Sequence, residues 1–338
     1  MRMRRIIGDP GAAYHCISRV VDRQMVLGTV EKERFRSMMR KVEAFCGVRI
    51  LTYAILSNHF HILVQVPPRK ELSDEALLHR LGFLYDRSYV LEVKKLLEAH
   101  RSGGREDLAE RLRQKFLYRM YDLSEFMKTL KQRFTQWFNL SRERRGTLWE
   151  ERFKSVLVQF KGGALTTVAS YIDLNSVRAG LVKDPKDYRY CGYGEAIAGD
   201  RLSRRGLGAV LGENAAGGDW RHVSRAYRQM LYARGEKTEK RHGISPQKVR
   251  QVAEEGGRLS KQELLQCRIR YFSDGVVLGS RRFVEEVFAK HRDQFGLKRK
   301  TGARSMKFGD WDGLCTMRDL RLQVIQHAEP AGRKSNTT

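Results

Sequence analysis

The run Val48-Arg-Ile-Leu-Thr-Tyr-Ala-Ile-Leu56, Ser57-Asn58, His59-Phe-His-Ile-Leu-Val-Gln-Val66 decides how the chain is read. Two β-rich halves flank a tight two-residue turn, and Pro67-Pro68 stops the second half because proline has no N–H to give to a strand ladder. In that strand a period of two sends His59 and His61 to one sheet face and Phe60, Ile62 and Val64 to the other. Two imidazoles on one face can chelate a single metal ion. Taken alone, the pair is a weak signal, and chance spacing or satisfied polar residues is the plainer reading.

Working outward, Tyr14 to Val21 is β-rich, and Val30 to Cys46 sets Phe35, Met38, Met39, Val42 and Phe45 at helical spacing before a turn at Gly47. The order so far is β-α-β-β. A charged, mostly helical insertion follows at about 68–122, with helices expected over Leu91 to His100 and Leu108 to Tyr118 around the Ser102-Gly103-Gly104 break. Ser124 is an N-cap candidate for a helix to about Leu140 that buries Phe126, Leu130, Phe134 and Phe138. A turn at Gly146 to Arg152, a strand at Phe153 to Phe160 and a helix from Leu165 to about Ala179, closed by Gly180, complete the pattern. β-α-β-β-α-β followed by a helix predicts an α+β fold: a ferredoxin-like split βαβ core with an antiparallel sheet, one face of it open.

The 338 residues carry 65 Lys+Arg against 39 Asp+Glu, a formal charge of +26 that points to nucleic acid as the partner. With 41% hydrophobic residues the chain can bury a core, which excludes wholesale disorder. Apolar runs are far too short for a membrane span, and the basic N-terminus lacks the apolar region of a secretory signal, so a cytoplasmic, nucleoid-associated address with no membrane partner is expected. The cysteines, at 16, 46, 191, 267 and 315, are widely spaced with no C-x-x-C pair, and read as buried small hydrophobes. After Tyr193 the composition turns glycine-rich to Gly218. We read 196–218 as a linker, 219–328 as a smaller, helical, basic accessory domain, and 329–338 as a disordered tail. Helices are expected there at Trp220 to Ala233, Pro246 to Glu255, Lys261 to Phe272 and Ser280 to Phe295.

A second chemical feature lies at Tyr171 in Ala169-Ser-Tyr-Ile-Asp-Leu-Asn175, where Tyr171 and Asn175 share a helix face at i and i+4. A phenol is a poor nucleophile when free, but a divalent cation that polarises a phosphate makes its attack feasible. The plainer reading makes Tyr171 an amphipathic core anchor.

Three strings, Leu56-Ser-Asn-His-Phe-His-Ile-Leu-Val64, Gly146-Thr-Leu-Trp-Glu-Glu-Arg-Phe-Lys-Ser155 and Tyr171-Ile-Asp-Leu-Asn-Ser-Val-Arg-Ala-Gly-Leu-Val182, together resemble the HUH single-tyrosine transposases. The nearest branch is the REP-associated tyrosine transposases, which act on single-stranded DNA hairpins. The resemblance spans roughly residues 10 to 195, so 1–195 would be the catalytic domain. It implies His59 and His61 as metal ligands, Asn175 as a third polar ligand, magnesium or manganese as the cation, and Tyr171 as a nucleophile forming a 5′-phosphotyrosine link. It also implies a hairpin-containing, REP-like single-stranded partner and leaves monomer and homodimer open. Ser176 stands where the family pattern has proline, and the insertion and the long C-terminal extension depart from its compact members.

Charge and aromatics near these strings nominate Arg19, Lys131, Arg133, Trp149, Arg152, Lys154 and Arg178 as DNA-binding residues, with Trp149 and Tyr53 as stacking platforms for unpaired bases. The leading expectation is a metal-dependent single-stranded DNA endonuclease and strand transferase. One alternative is a domesticated, non-catalytic hairpin-binding protein. The other is an HUH replication initiator or relaxase, against which stands the position of Tyr171, 110 residues after His61.

Overall fold

In the computed structural model the described residues are 5–212, 219–232, 268–307 and 311–318, with the backbone of 325–326. The hairpin stretch forms β2 (Arg49–Ile55) and β3 (His59–Gln65), preceded by β1 (Ala13–Arg19) and α1 (Thr29–Cys46). The insertion is α2 (Asp74–Leu81), α3 (Arg87–Ser102) and α4 (Glu106–Leu117). It is followed by α5 (Leu123–Ser141), β4 (Lys154–Val158), α6 (Gly163–Asp173) and α7 (Asn175–Arg178). β1 pairs antiparallel with both β3 and β4, and β3 with β2, so the first four strands lie in the order β2-β3-β1-β4. That is the split βαβ arrangement.

Helix ends follow local chemistry. Asp122, not Ser124, caps α5, its carboxylate accepting from the Glu125 N–H at 2.9 Å. Gly47 takes the left-handed conformation that ends α1. The expected long helix after β4 is broken at Leu174 into α6 and α7.

One face of β3 carries Phe60 into an aromatic core: its ring lies 4.7 Å from Phe35 of α1 and 5.3 Å from Trp149, and Phe35 meets Phe134 of α5 at 5.0 Å. Side chains of this size contribute about 1.5–3 kcal/mol each on burial. The opposite face, expected to be open, is covered. Tyr171 of α6 and Phe272 of α11 (Arg270–Asp274) pack on it.

The expected linker is folded over its described part. α8 (Gly192–Ile197) and α9 (Arg201–Val210) pack along β2, and a Cβ on Gly206 would overlap the Leu51 carbonyl. The glycines that suggested a linker permit close helix-to-strand approach instead. An ion-pair network fastens the same edge: Glu195 of α8 is bonded to Arg36 and Arg40 of α1, to Ser203 of α9 and, at 2.7 Å, to the Tyr53 hydroxyl.

The C-terminal region contains α10 (Trp220–Tyr232), α11 and α12 (Arg281–Lys290), but also strands β5 (Arg268–Ile269), β6 (Val277–Gly279), β7 (Arg304–Ser305), β8 (Cys315–Thr316) and β9 (Ile325–Gln326). β6 adds in parallel to β4, and β8 and β7 follow, giving one seven-stranded, mostly antiparallel sheet. Strands of two or three residues leave no alternation for a sequence reading to detect. The helix expected at Pro246 to Glu255, most of that at Lys261 to Phe272, the tail at 329–338 and Cys267 lie outside the described residues. Cys16, Cys46, Cys191 and Cys315 are free and buried. No helix among the described residues is long and apolar enough to cross a membrane.

Candidate active site

Strand pairing gathers the chemistry on the covered face. Arg19 lies opposite His59 and Ile17 opposite His61 across β1 and β3, while His15, two residues before Ile17, points the same way. The His59 and His61 rings are 5.1 Å apart, and the His61 ring is 6.1 Å from Tyr171. Tyr171 lies over 100 positions from the histidine pair in the sequence, and the fold brings all three into one cluster.

Each histidine of the pair has a hydrogen-bond partner at Nδ1. Asn58 Nδ2 donates to the Arg23 carbonyl at 3.0 Å, which turns Asn58 Oδ1 toward His59 Nδ1, 2.6 Å away. His59 Nδ1–H is therefore the donor, and Nε2 keeps the lone pair. His61 Nδ1 lies 2.9 Å from His15 Nε2, and His15 Nδ1 is 2.8 Å from the Phe272 carbonyl oxygen. Burial drives the His15 ring down to about 3, the Phe272 carbonyl opposing it. Burial likewise pushes His61 well below its ordinary value, with His15, His59 and Arg178 adding to the effect.

Tyr171 is buried, at 3% exposure, edge-on to Phe272 at 4.8 Å and beneath the Arg178 guanidinium, which sits 4.0 Å from the ring centre. Arg178 also donates to the Tyr171 carbonyl, as does Asn175 Nδ2 at 3.2 Å. The break at Leu174 thus leaves Asn175 one turn from Tyr171, its amide N–H used and its Oδ1 available as a hard donor. Two residues after Tyr171, Asp173 is wholly buried, taking hydrogen bonds from Thr52 of β2, the Tyr193 N–H and the Tyr227 hydroxyl of α10. Desolvation raises its carboxyl to about 6 against those bonds. Asp173 anchors the tyrosine helix to both neighbours.

Imidazole nitrogen and amide oxygen are donor types that a small divalent cation accepts. Among the described residues no group of three or more His, Cys, Asp or Glu side chains could hold a metal ion.

Beside α11 an open groove of about 1710 Å³ runs between α5 and the Thr147 to Ser155 segment. Lys128, Lys131, Arg152, Lys154 and Arg270 line it, against Glu150, Glu151 and Asp274. Lys154 pairs with Asp274 at 3.3 Å and Lys131 donates to the Glu151 carbonyl at 2.8 Å. Of the expected DNA residues, Lys131, Arg152 and Lys154 gather here, whereas Arg19 and Arg178 border the histidine and tyrosine cluster. Arg133 is elsewhere, over the Tyr85 ring of the insertion. Trp149 lines the groove yet is 6% exposed in the aromatic core, and Tyr53 is fully buried against Glu195, so neither offers a ring face for stacking. Packing demand on large apolar rings outweighs the nearby charge.

The sequence reading missed His15, Phe272 and Asp173. His15 carried a usable signal, its place in a strand two positions from a residue opposite His61, but only the pairing register reveals that. Phe272 lies 101 residues beyond Tyr171 and left no local trace.

Residues 10–93 match the IS200-like transposase family. That match takes in β1 to β3 with His15, His59 and His61 and ends before α5, β4 and the tyrosine helix. A solved structure of the REP-associated tyrosine transposase bound to a REP hairpin is similar at 16% identity and a TM-score of 0.39, over 59% of this chain and 87% of that one. No curated protein matches the chain in sequence.

Proposed function

We propose that the protein is a divalent-metal-dependent single-stranded DNA nuclease and strand transferase with transposase chemistry, acting beside DNA hairpins. The observation that carries this reading is the convergence of Tyr171 with His59 and His61 on one sheet face, all from one chain. A pure binder has no physical need for that set.

In this reading His59, His61 and Asn175 hold magnesium or manganese. The bound cation would polarise the scissile phosphate and offset the charge that builds on it. The Tyr171 oxygen attacks phosphorus in line, its proton passing to solvent or a nearby base. The P–O3′ bond breaks, leaving a 3′-hydroxyl and a 5′-phosphotyrosine. Attack by a 3′-hydroxyl then reverses the step and joins a strand. Arg178, stacked on the tyrosine ring, would balance phosphate charge there, and the basic groove beside α11 would carry the flanking strand. With the tyrosine and the histidine pair in one chain, this reading is compatible with a monomer and leaves a homodimer open.

One observation favours the second reading, a non-catalytic hairpin binder: the Tyr171 ring is covered by Phe272. Catalysis then requires α11 to yield when DNA enters. The deciding experiment incubates labelled single-stranded hairpin oligonucleotides with protein and Mn²⁺ and looks for a covalent adduct on a denaturing gel. We expect an adduct with wild type and none with Tyr171→Phe or His59→Ala. Hairpin binding without an adduct, across several metals and flanking sequences, overturns the nuclease in favour of the binder.

A further inference from the structure

A metal-binding imidazole must present a lone pair, and which ring nitrogen carries it is set by what the other nitrogen touches. His59 has its setting from Asn58, an adjacent residue. His61 has its setting from across the sheet. The chain of contacts begins at the Phe272 carbonyl of α11, which can only accept; it therefore takes the His15 Nδ1–H at 2.8 Å. In a neutral ring His15 Nε2 is then an acceptor, and at 2.9 Å it takes the Nδ1–H of His61. The one nitrogen of His61 left with a lone pair is Nε2. The two rings also stack, with centroids 5.0 Å apart and planes 24° from parallel, so the His61 rotamer is held as well as its tautomer. Both rings are buried, at 0% and 5% exposure, so these bonds are shielded from bulk solvent.

We propose that His15 is a positioning residue for the cation site: braced by the Phe272 carbonyl, it fixes His61 in the tautomer and orientation that present Nε2 to a divalent cation. The inference rests on the reading of His59 and His61 as cation ligands. It also gives α11, which lies outside the family match, a part in the site. The C-terminal extension supplies the carbonyl that starts the relay, and Phe272 packs its ring on Tyr171 from the same residue. Movement of α11 would therefore act on the nucleophile and on the ligand together.

The test uses the full chain with ¹⁵N-labelled histidine side chains. Long-range ¹⁵N–¹H correlation spectra of metal-free wild type, His15→Phe and His15→Gln report the His61 tautomer, and electron paramagnetic resonance reports Mn²⁺ affinity. We expect wild type to show His61 protonated at Nδ1 alone. His15→Phe keeps a buried ring but no acceptor; it should lose the single tautomer and weaken Mn²⁺ binding by about 10- to 100-fold. His15→Gln offers an amide N–H to Phe272 and an oxygen to His61, and should restore both readouts to near wild type. The inference is overturned if wild-type His61 carries its proton on Nε2, or if His15→Phe binds Mn²⁺ as wild type does. Failure of the nuclease reading looks different: Mn²⁺ binding that depends on His15, in a protein that forms no DNA adduct, supports this inference and removes only that activity.

Discussion

The two faces of β3 are built from alternate residues of one strand and do opposite work. On one, Phe60 closes an aromatic cluster with Phe35, Phe134 and Trp149, joined by ring-to-ring packing. On the other, His59 and His61 meet His15, Tyr171 and Arg178 in a partly buried polar cluster whose histidines and arginine make directed hydrogen bonds. The first face is non-directional and tolerates small adjustments, while the second depends on which atom faces which. One face stabilises and the other positions, and a single-residue slip in register would exchange them.

Separate changes on each face test that division. Tyr171→Phe removes one hydroxyl and keeps the ring packing, so adduct formation should fall by at least about 10³-fold while urea unfolding shifts by less than about 1 kcal/mol; a large loss of stability would break the contrast. Phe60→Ala should do the reverse at the level of stability, costing about 3–5 kcal/mol in denaturant unfolding. If the faces are separable, the Phe60→Ala fraction that remains folded should still bind Mn²⁺ with wild-type affinity.

A smaller effect is expected at the edge strand β2, where the two faces meet. Burial raises the Glu195 carboxyl, but Arg40, Ser203 and Tyr53 outweigh it and hold the group below its usual range. Glu195→Gln takes one of three carboxylate partners from the buried Arg40, which keeps Glu43 and Asp200, and should cost about 2 kcal/mol near neutral pH. A depressed carboxyl contributes stability that is present above its unfolded value and is lost as pH falls through the folded one. The gap between wild type and Glu195→Gln should therefore close as pH drops below about 4.5, read by denaturant melts at several pH values. A gap that persists in acid would show that packing, not charge, fastens α8.

The smallest effects belong to the groove. Arg152→Ala and Lys154→Ala should each reduce the slope of log affinity against log salt by about 0.7 for a single strand, measured by fluorescence anisotropy. Arg133→Ala should leave the slope unchanged, since that side chain lies over Tyr85 rather than in the groove. Equal slopes for all three would mean that the groove is not the strand path.

Much of this was legible from local pattern. The alternation in His59 to Val66, the turn at Ser57-Asn58 and the helical spacing of Phe35 to Phe45 act over a few residues, and they determined β-α-β-β and the shared face of the histidine pair. The same pattern named Tyr171 and placed Asn175 one turn after it. It misled where a residue type serves two purposes. Glycines in 196–218 read as linker, but Gly206 lets α9 approach β2. Trp149 and Tyr53 read as base stackers, but the core claims both rings.

What the sequence determined by itself, then, is the ferredoxin-like core, its basic character and the candidate His59, His61 and Tyr171. Only the tertiary structure decided that His15 backs His61, that Phe272 comes from 101 residues beyond Tyr171 to cover it, that Asp173 anchors the tyrosine helix, and that the C-terminal strands join the same sheet. The reason is physical. Periodicity and capping report forces between near neighbours in the chain, whereas strand register and side-chain hydrogen bonds across a core are fixed only when distant segments have packed.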